Sequence, residues 1–229
     1  MLLAAGKGKR FTGDAPKALA PIEGQPLITL PIRTIVGLGF VNELILVVNA
    51  QLRRPIEDAI SRLSRGIRQA GIRFILCEGG QTRSQSVQSG LAKVSSDYVL
   101  IHDASRPFAS PELFERVLAA LEPEVGAVPV VQPVDSLLLV HSQTHVKEYL
   151  DRDEVRLAQT PQGFVTSDYR EARERVRDRA PAFKDDASLF IAAGYRIVTV
   201  PGEETNIKVT YPRDLAVAHA ALSRMKQEL

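Results

Sequence analysis

Short apolar runs alternate along this chain with longer stretches in which apolar residues recur every three or four positions. The runs Leu2–Ala4, Glu43–Val48, Arg73–Cys77, Tyr98–His102, Ala127–Val131 and Arg196–Val200 predict strands. In two of them, Leu44-Ile45-Leu46-Val47-Val48 and Tyr98-Val99-Leu100-Ile101, the apolar residues are continuous rather than alternating. Such strands are buried on both faces, as in a parallel sheet covered by helices. Helical spacing predicts helices over Leu27–Leu38 (irregular around Pro31), Leu52–Gln69, Thr82–Val94 and Pro111–Leu121. In the second of these Ile56, Ile60 and Leu63 share a face, and the fourth has Ser110 as its N-cap and Pro111 in its first turn. Further helices are expected over Ser167–Arg179, Asp186–Ala193 and Pro212–Lys226. The alternation predicts an α/β fold, a three-layer doubly wound Rossmann-like sandwich on a mostly parallel sheet. Ligands in such folds sit at the carboxyl ends of the strands, here the loops 5–17, 78–86 and 103–107.

One segment breaks the alternation. Val134–Leu150 reads as two β-type runs around the polar turn Ser142-Gln143-Thr144, a hairpin outside the main sheet. An apolar hairpin in that position needs cover, either from a partner subunit or from its own domain. Proline and glycine are dispersed and no repeat is present, so residues 1–229 read as one domain with an arm at about 132–155.

The 229 residues suffice for a sizeable core, and 45% hydrophobic with 24% charged residues is the balance of a soluble globular protein. No run approaches the ~18 apolar residues of a membrane helix, and the start Met1–Gly8 is too short and glycine-rich for a signal peptide. The single cysteine, Cys77, excludes an internal disulfide framework and a cysteine zinc site, and points to the cytosol. A net charge of +2 is no nucleic-acid signature, so anion chemistry must come from local clusters.

Four clusters stand at the expected loops. Leu3-Ala4-Ala5-Gly6-Lys7-Gly8-Lys9-Arg10, followed by Ala15-Pro16-Lys17, combines two glycines with four cations. Its backbone can approach an anion closely, which suits a nucleoside triphosphate. It lacks the Gly-Lys-Ser/Thr of a P-loop, and Phe11 stands at the third glycine of a dinucleotide fingerprint. Glu78-Gly79-Gly80-Gln81-Thr82-Arg83-Ser84-Gln85-Ser86 ends a strand and opens a helix that Thr82 can cap, leaving backbone groups free to read a base edge. In His102-Asp103-Ala104-Ser105-Arg106-Pro107 an acid ends a buried strand, where Mg²⁺ with its phosphates would lie, and Arg106 adds a cation; the alternative is an Asp–Arg pair that stabilises the loop. Asn206-Ile207-Lys208-Val209-Thr210 supplies one more lysine. His102 reads as a packed strand residue, and His141, His145 and His219 show no metal-ligand spacing with acids. Cations, glycines and one acid, with no nucleophile–base pair, suit phosphoryl-type transfer. A phosphate monoester is already an anionic nucleophile and needs no general base.

These motifs resemble the sugar-nucleotide pyrophosphorylase superfamily. Gly79-Gly80, Arg83, Ser86, Asp151-Arg152, Gln159-Thr160-Pro161-Gln162-Gly163-Phe164, Asp185-Asp186-Ala187-Ser188 and Asn206–Thr210 narrow the resemblance to the 2-C-methyl-D-erythritol 4-phosphate cytidylyltransferase family, in order and over essentially the whole chain. Members of that family carry several more strand residues before Leu3, so the resemblance implies a shortened first strand. It also implies a cytoplasmic, CTP- and Mg²⁺-dependent homodimer, with no nucleic-acid or membrane partner, that makes CDP-methylerythritol for isoprenoid precursors. Carried over, Arg10, Lys17, Lys208 and Asp103 are the catalytic set, with Asp103 by the metal. Ala4, Ala5, Gly6, Gly8, Gly80, Gln81, Ser86 and Ala104 form the CTP site. Arg106, Ser136, Arg152, Thr160 and Lys184 surround the polyol phosphate, with Ser136, Arg152 and Thr160 reaching in from the partner's arm. Gln81, Ser136, Leu138 and Lys184 depart from the usual residues. Ribitol 5-phosphate cytidylyltransferases share the fold and the first motifs and form the alternative, with a non-catalytic nucleotide-binding module as a distant one.

Overall fold

The computed structural model describes every residue except Lys7, Lys9, Gly13, Asp14, Gln143, Glu228 and Leu229; for Ala180–Ala182 and Lys226 it describes the backbone alone. The chain opens with β1 (Leu2–Ala4), a small hairpin of β2 (Pro21–Ile22) and β3 (Gln25–Pro26), and α1 (Thr29–Val36). Then come β4 (Glu43–Val48), α2 (Arg53–Ile60), α3 (Ser64–Gln69), β5 (Arg73–Glu78), α4 (Arg83–Leu91), β6 (Tyr98–Asp103), α5 (Pro111–Ala119) and β7 (Val125–Val131). The rest is β8 (Leu137–Ser142), β9 (His145–Leu150), β10 (Leu157–Ala158), β11 (Gln162–Val165), α6 (Thr166–Arg175), α7 (Asp186–Ala192), β12 (Arg196–Pro201) and α8 (Asp214–Gln227).

Eight strands form the central sheet in the order β10-β7-β11-β6-β1-β4-β5, with β12 on the other edge of β7. The β6-β1-β4-β5 half and the β7–β12 pair are parallel, as the continuous apolar runs predicted. Side chains alternate across the sheet: Leu44, Leu46 and Val48 join a core under α1, α2 and α5, while Ile45 and Val47 join the opposite core under α4, α6 and α7. Both faces of one strand are thereby buried, which is why Leu44–Val48 shows no polar positions.

The antiparallel strand β11, between β6 and β7, was not among the predicted strands. Its short sequence opens with Gln162 and Gly163 and carries only two apolar side chains. A Cβ on Gly163 would lie 2.7 Å from Val117 of α5 and 2.9 Å from Leu100, so only glycine lets the helix sit this close. Phe164 turns to the other side and stacks on Tyr169 at 4.5 Å between ring centres.

The predicted helix Leu52–Gln69 is two helices separated by a 3₁₀ turn at Ser61–Leu63, where the Ser61 hydroxyl donates to the carbonyl of Asp58 at 2.7 Å. The helix expected to continue to Arg179 stops at Arg175 and passes into a 3₁₀ segment over Arg177–Ala182. The helix expected to begin at Pro212 begins at Asp214, whose carboxylate accepts from the amides of Thr210 and Tyr211 at 2.7 and 2.9 Å. Strands β8 and β9 form the expected hairpin apart from the main sheet, and Gln143 of its turn lies outside the described residues. Val140 is 55% and Tyr149 72% exposed, so the single chain leaves the arm uncovered.

Candidate active site

The carboxyl ends of β1, β4, β5 and β6 meet at one rim. Gly79 follows β5, and its amide donates to the carbonyl of Val48 at 2.8 Å. A Cβ there would lie 2.4 Å from Ala5 Cβ and 2.6 Å from Ser86 Oγ. The loops after β1 and β5 therefore touch across a floor that has no room for side chains. Thr82 caps α4 in a capping box with Gln85, whose Oε1 accepts from the amide of Gln81 at 2.8 Å. Ser86 is buried and gives its hydroxyl to the carbonyl of Thr82 at 2.9 Å. The amide of Ala104 donates to the carbonyl of Leu3 at 3.0 Å and closes this floor against β1. Ala4, Ala5, Gly80, Gln81, Ser86 and Ala104 thus fall at one rim. A Cβ on Gly6 would meet nothing within 4 Å among the described residues.

The cations gather beside this floor. Lys208 donates to Asp103 Oδ2 at 2.5 Å. The segment carrying it is docked on the 103–106 turn by the Val209 amide, 2.8 Å from the carbonyl of Ser105. Burial would raise the pKa of Asp103, but Lys208 and then Arg83 outweigh it and hold the carboxyl far below the usual range. Lys17 is pressed below the ordinary lysine value by burial and by the like charges of Lys208 and Arg10, against the pull of Asp103. These mutual influences put Lys17, Lys208, Arg10 and Asp103 in one electrostatic neighbourhood. Gly8, with a positive φ of 57°, brings the glycine loop to Lys17: a Cβ there would lie 3.7 Å from Lys17 Cβ. Arg10 leans over Tyr211, 5.8 Å from the ring centre. Lys7 and Lys9 lie outside the described residues.

The polyol-phosphate set is divided by the structure. Thr160 is buried in its own chain, where its Oγ1 accepts from the Asp103 amide at 3.1 Å and lies 2.9 Å from His102 Nδ1. The expectation that it reaches in from a partner's arm is corrected: the antiparallel entry of β11 delivers it to the carboxyl end of β6. The Arg106 guanidinium spends its Nη1 on the carbonyl of Asn206 at 2.7 Å and its Nη2 on that of Ala158 at 3.4 Å. Arg106 is thus no partner of Asp103 in an ion pair, and it staples three loops at the rim. Among the described residues, its buried Nε and the buried Oδ1 of Asn206 have no partner. Lys184 is exposed just before the N-cap of α7. Ser136 and Arg152 are exposed at the base of the arm, and Arg152 Nη1 donates to the carbonyl of Val134 at 3.1 Å. Among the described residues, no hydrogen bond or ion pair joins Ser136 or Arg152 to the rim.

Sequence reasoning gave only motif positions to Arg83 and Asp186 and no role to Tyr169. Arg83 Nη2 lies 2.6 Å from Asp186 Oδ2 and 3.9 Å from Asp103 Oδ1. A signal was present: a cation in the first turn of a helix opposes the helix dipole, so an arginine there is held by something else. Among the described residues no group of three or more His, Cys, Asp or Glu forms a metal cluster. The donor set at the rim is one carboxylate beside an anion cradle. It fits a hard cation that draws its other ligands from phosphates and water.

Comparison with known proteins agrees with this geometry. The family model described as "IspD: 2-C-methyl-D-erythritol 4-phosphate cytidylyltransferase" matches residues 1–224. Proteins named 2-C-methyl-D-erythritol 4-phosphate cytidylyltransferase from Gloeobacter violaceus and Microcystis aeruginosa are 36% and 34% identical, over 100% and 98% of this chain and 97% and 98% of theirs. The crystal structure of the enzyme of that name from Thermus thermophilus superposes with a TM-score of 0.77 at 33% identity, covering 97% of both chains. That of 4-diphosphocytidyl-2C-methyl-D-erythritol synthase from Anaerococcus prevotii gives 0.81 at 26% identity, over 97% of this chain and 96% of that one.

Proposed function

Starting from the fact that the chain belongs to the IspD family of 2-C-methyl-D-erythritol 4-phosphate cytidylyltransferases, we propose that it transfers CMP from CTP to 2-C-methyl-D-erythritol 4-phosphate. The products are 4-diphosphocytidyl-2-C-methyl-D-erythritol and pyrophosphate. One observation carries the reading: Lys208 holds Asp103, and Lys17 with Arg10 shares their electrostatic neighbourhood, beside a side-chain-free floor at the carboxyl rim. The floor suits a flat base read through backbone groups, and the cations suit a triphosphate.

The phosphate oxygen of the acceptor attacks the α-phosphorus, and the bond to the pyrophosphate oxygen breaks in line with it. Charge grows on the α-phosphoryl oxygens and the leaving group, where Lys17, Lys208 and Arg10 neutralise it. The pKa of Lys17 is lowered first by burial and then by the charges of Lys208 and Arg10, and a bound triphosphate would relieve that repulsion. Asp103 holds Lys208 in place before substrate arrives. Asp103 is also the residue that would hold Mg²⁺; the ion, when bound, supplies further neutralisation of phosphate charge.

Homodimerisation completes the reading. The exposed apolar arm would be covered by a second copy, and Ser136 and Arg152 at its base would then serve the other chain's acceptor site. Among the described residues no helix is long and apolar enough to cross a membrane, and a lone buried cysteine and a CTP substrate support a cytosolic location. The test is pyrophosphate release from CTP with methylerythritol phosphate, ribitol phosphate or a sugar 1-phosphate offered in parallel. Methylerythritol phosphate should be the best acceptor, and Lys17→Ala or Lys208→Ala should each lower kcat by about 10³-fold with the fold intact. Turnover with a sugar 1-phosphate alone, or normal kcat in both variants, would defeat the proposal.

A further inference from the structure

We propose that Arg83 is a positioning residue of this active site, braced by the buried pair Asp186 and Tyr169, and that it fixes the carboxylate of Asp103 from the side not held by Lys208. The inference rests on the reading of Asp103 as part of the nucleotidyl-transfer centre.

The contacts form one continuous line. Asp186, 2% exposed, spends its two carboxylate oxygens on two donors: Oδ1 accepts from the Tyr169 hydroxyl at 2.5 Å and Oδ2 from Arg83 Nη2 at 2.6 Å. Its backbone is fixed as well, because its amide donates to Gln162 Oε1 at 3.1 Å. Tyr169 has no freedom to follow Arg83 outward: it is fully buried, stacked on Phe164, and its hydroxyl is approached by Arg173 Nη1 at 3.5 Å. The Arg83 nitrogen gripped by Asp186 is also the one 3.9 Å from Asp103 Oδ1, while Asp103 Oδ2 belongs to Lys208 at 2.5 Å. Each oxygen of Asp103 thus faces its own cation.

The two cations differ in what they can do. Lys208 is a point charge on a flexible stem, and its side chain is 41% exposed, free to turn to an incoming phosphate. Arg83 is a planar fork whose tip is pinned by a buried acid. When Lys208 moves to the phosphates, Arg83 remains and keeps Asp103 from swinging. Burying an acid and a tyrosine to hold one arginine is a poor source of stability, because desolvating the charges offsets most of their attraction. The device makes sense as geometry at the rim. Arg173 and Tyr169 lie on α6, Asp186 on α7 and Arg83 on α4, so three helices fix the orientation of one strand-end carboxylate.

The experiment is a double-mutant cycle on Arg83→Gln and Asp103→Asn, with Arg83→Lys as the conservative variant, read by steady-state kinetics and by thermal unfolding. Arg83→Gln is expected to lower kcat by about 30-fold while KM for CTP stays within about threefold. Arg83→Lys should recover part of that loss. The double variant should be no slower than Asp103→Asn alone, because a residue acting through Asp103 has nothing left to position. Losses that multiply, or a loss confined to KM, overturn the proposal. The melting cycle needs no turnover: the drop in Tm from Arg83→Gln should be smaller when Asp103 is already Asn, and an equal drop in both backgrounds also overturns it. A wild-type protein that releases no pyrophosphate from CTP would refute the proposed function instead, and the melting cycle would still decide on Arg83.

Discussion

His102 gives the fold a pH dependence whose size follows from its surroundings. The ring is 1% exposed on β6 and tilts against Phe114 at 5.2 Å. Its Nε2 lies 3.0 Å from the carbonyl of Arg106, which can only accept, so Nε2 carries the hydrogen. Nδ1 is then free to accept from the Thr160 hydroxyl at 2.9 Å. The neutral ring satisfies both neighbours. Burial pushes its pKa from 6.5 down to about 4, against the carbonyl of Arg106 and the charge of Asp103, which pull upward. Because the folded pKa lies below the unfolded one, the unfolded chain binds more protons between the two values. Stability is therefore intact above about pH 6.5, falls as the pH drops towards 4, and loses no more to this group below that. The gap corresponds to roughly 3 kcal/mol. Urea unfolding of the wild type and of His102→Asn, compared between about pH 7.5 and 4, isolates the contribution from that of other groups. The amide oxygen of asparagine can take the Thr160 hydrogen bond but does not titrate. The wild type should lose about 3 kcal/mol more than the variant across that range. Parallel pH curves for the two proteins would refute the argument from burial.

Two further perturbations bear on the site. In Gly79→Ala the new methyl would overlap Ala5 Cβ at 2.4 Å and Ser86 Oγ at 2.6 Å; since Ala5 has no flexible end to move, the floor must shift. KM for CTP should rise by about tenfold or more, with stability down by about 1–3 kcal/mol, measured by kinetics and by urea unfolding. In the arm, Leu138→Ser with Tyr149→Ser should turn a sedimenting dimer into a monomer and abolish turnover; a wild-type protein that sediments as one chain would refute the arm's role.

What could be read from the sequence follows from where each signal is local. The run Leu44–Val48 announces a strand buried on both faces because every one of its residues is apolar. Gly79-Gly80 before a capping threonine announces a floor followed by a helix. The Asp103–Lys208 contact spans the chain, yet both residues could be placed because Asp103 ends β6 and Lys208 lies on the loop that follows β12. Strand β11 was hidden because its middle is a glycine chosen to admit α5, which lowers rather than raises its β-character. Thr160 was misplaced for the same reason: without that strand, the segment after the hairpin reads as part of the arm. Asp186 and Tyr169 could be seen only in three dimensions, since nothing in the motif Asp185-Asp186-Ala187-Ser188 tells the helix cap from the buried acid. Asp185 is the cap, accepting from the Ser188 amide at 2.9 Å, and its neighbour turns inward.

The path of the chain out of the hairpin has a mechanical meaning. Strand β9 ends at Leu150, residues 151–156 follow, and β10 and the turn before β11 then deliver Thr160 to the backbone of Asp103. The hairpin is thus joined by a short tether to β10, which is paired with β7, and through it to the threonine that accepts from the amide of Asp103. Under the proposed dimer, assembly and chemistry would share one strip of polypeptide, and loosening the hairpin's grip would be read at the centre as a change in turnover.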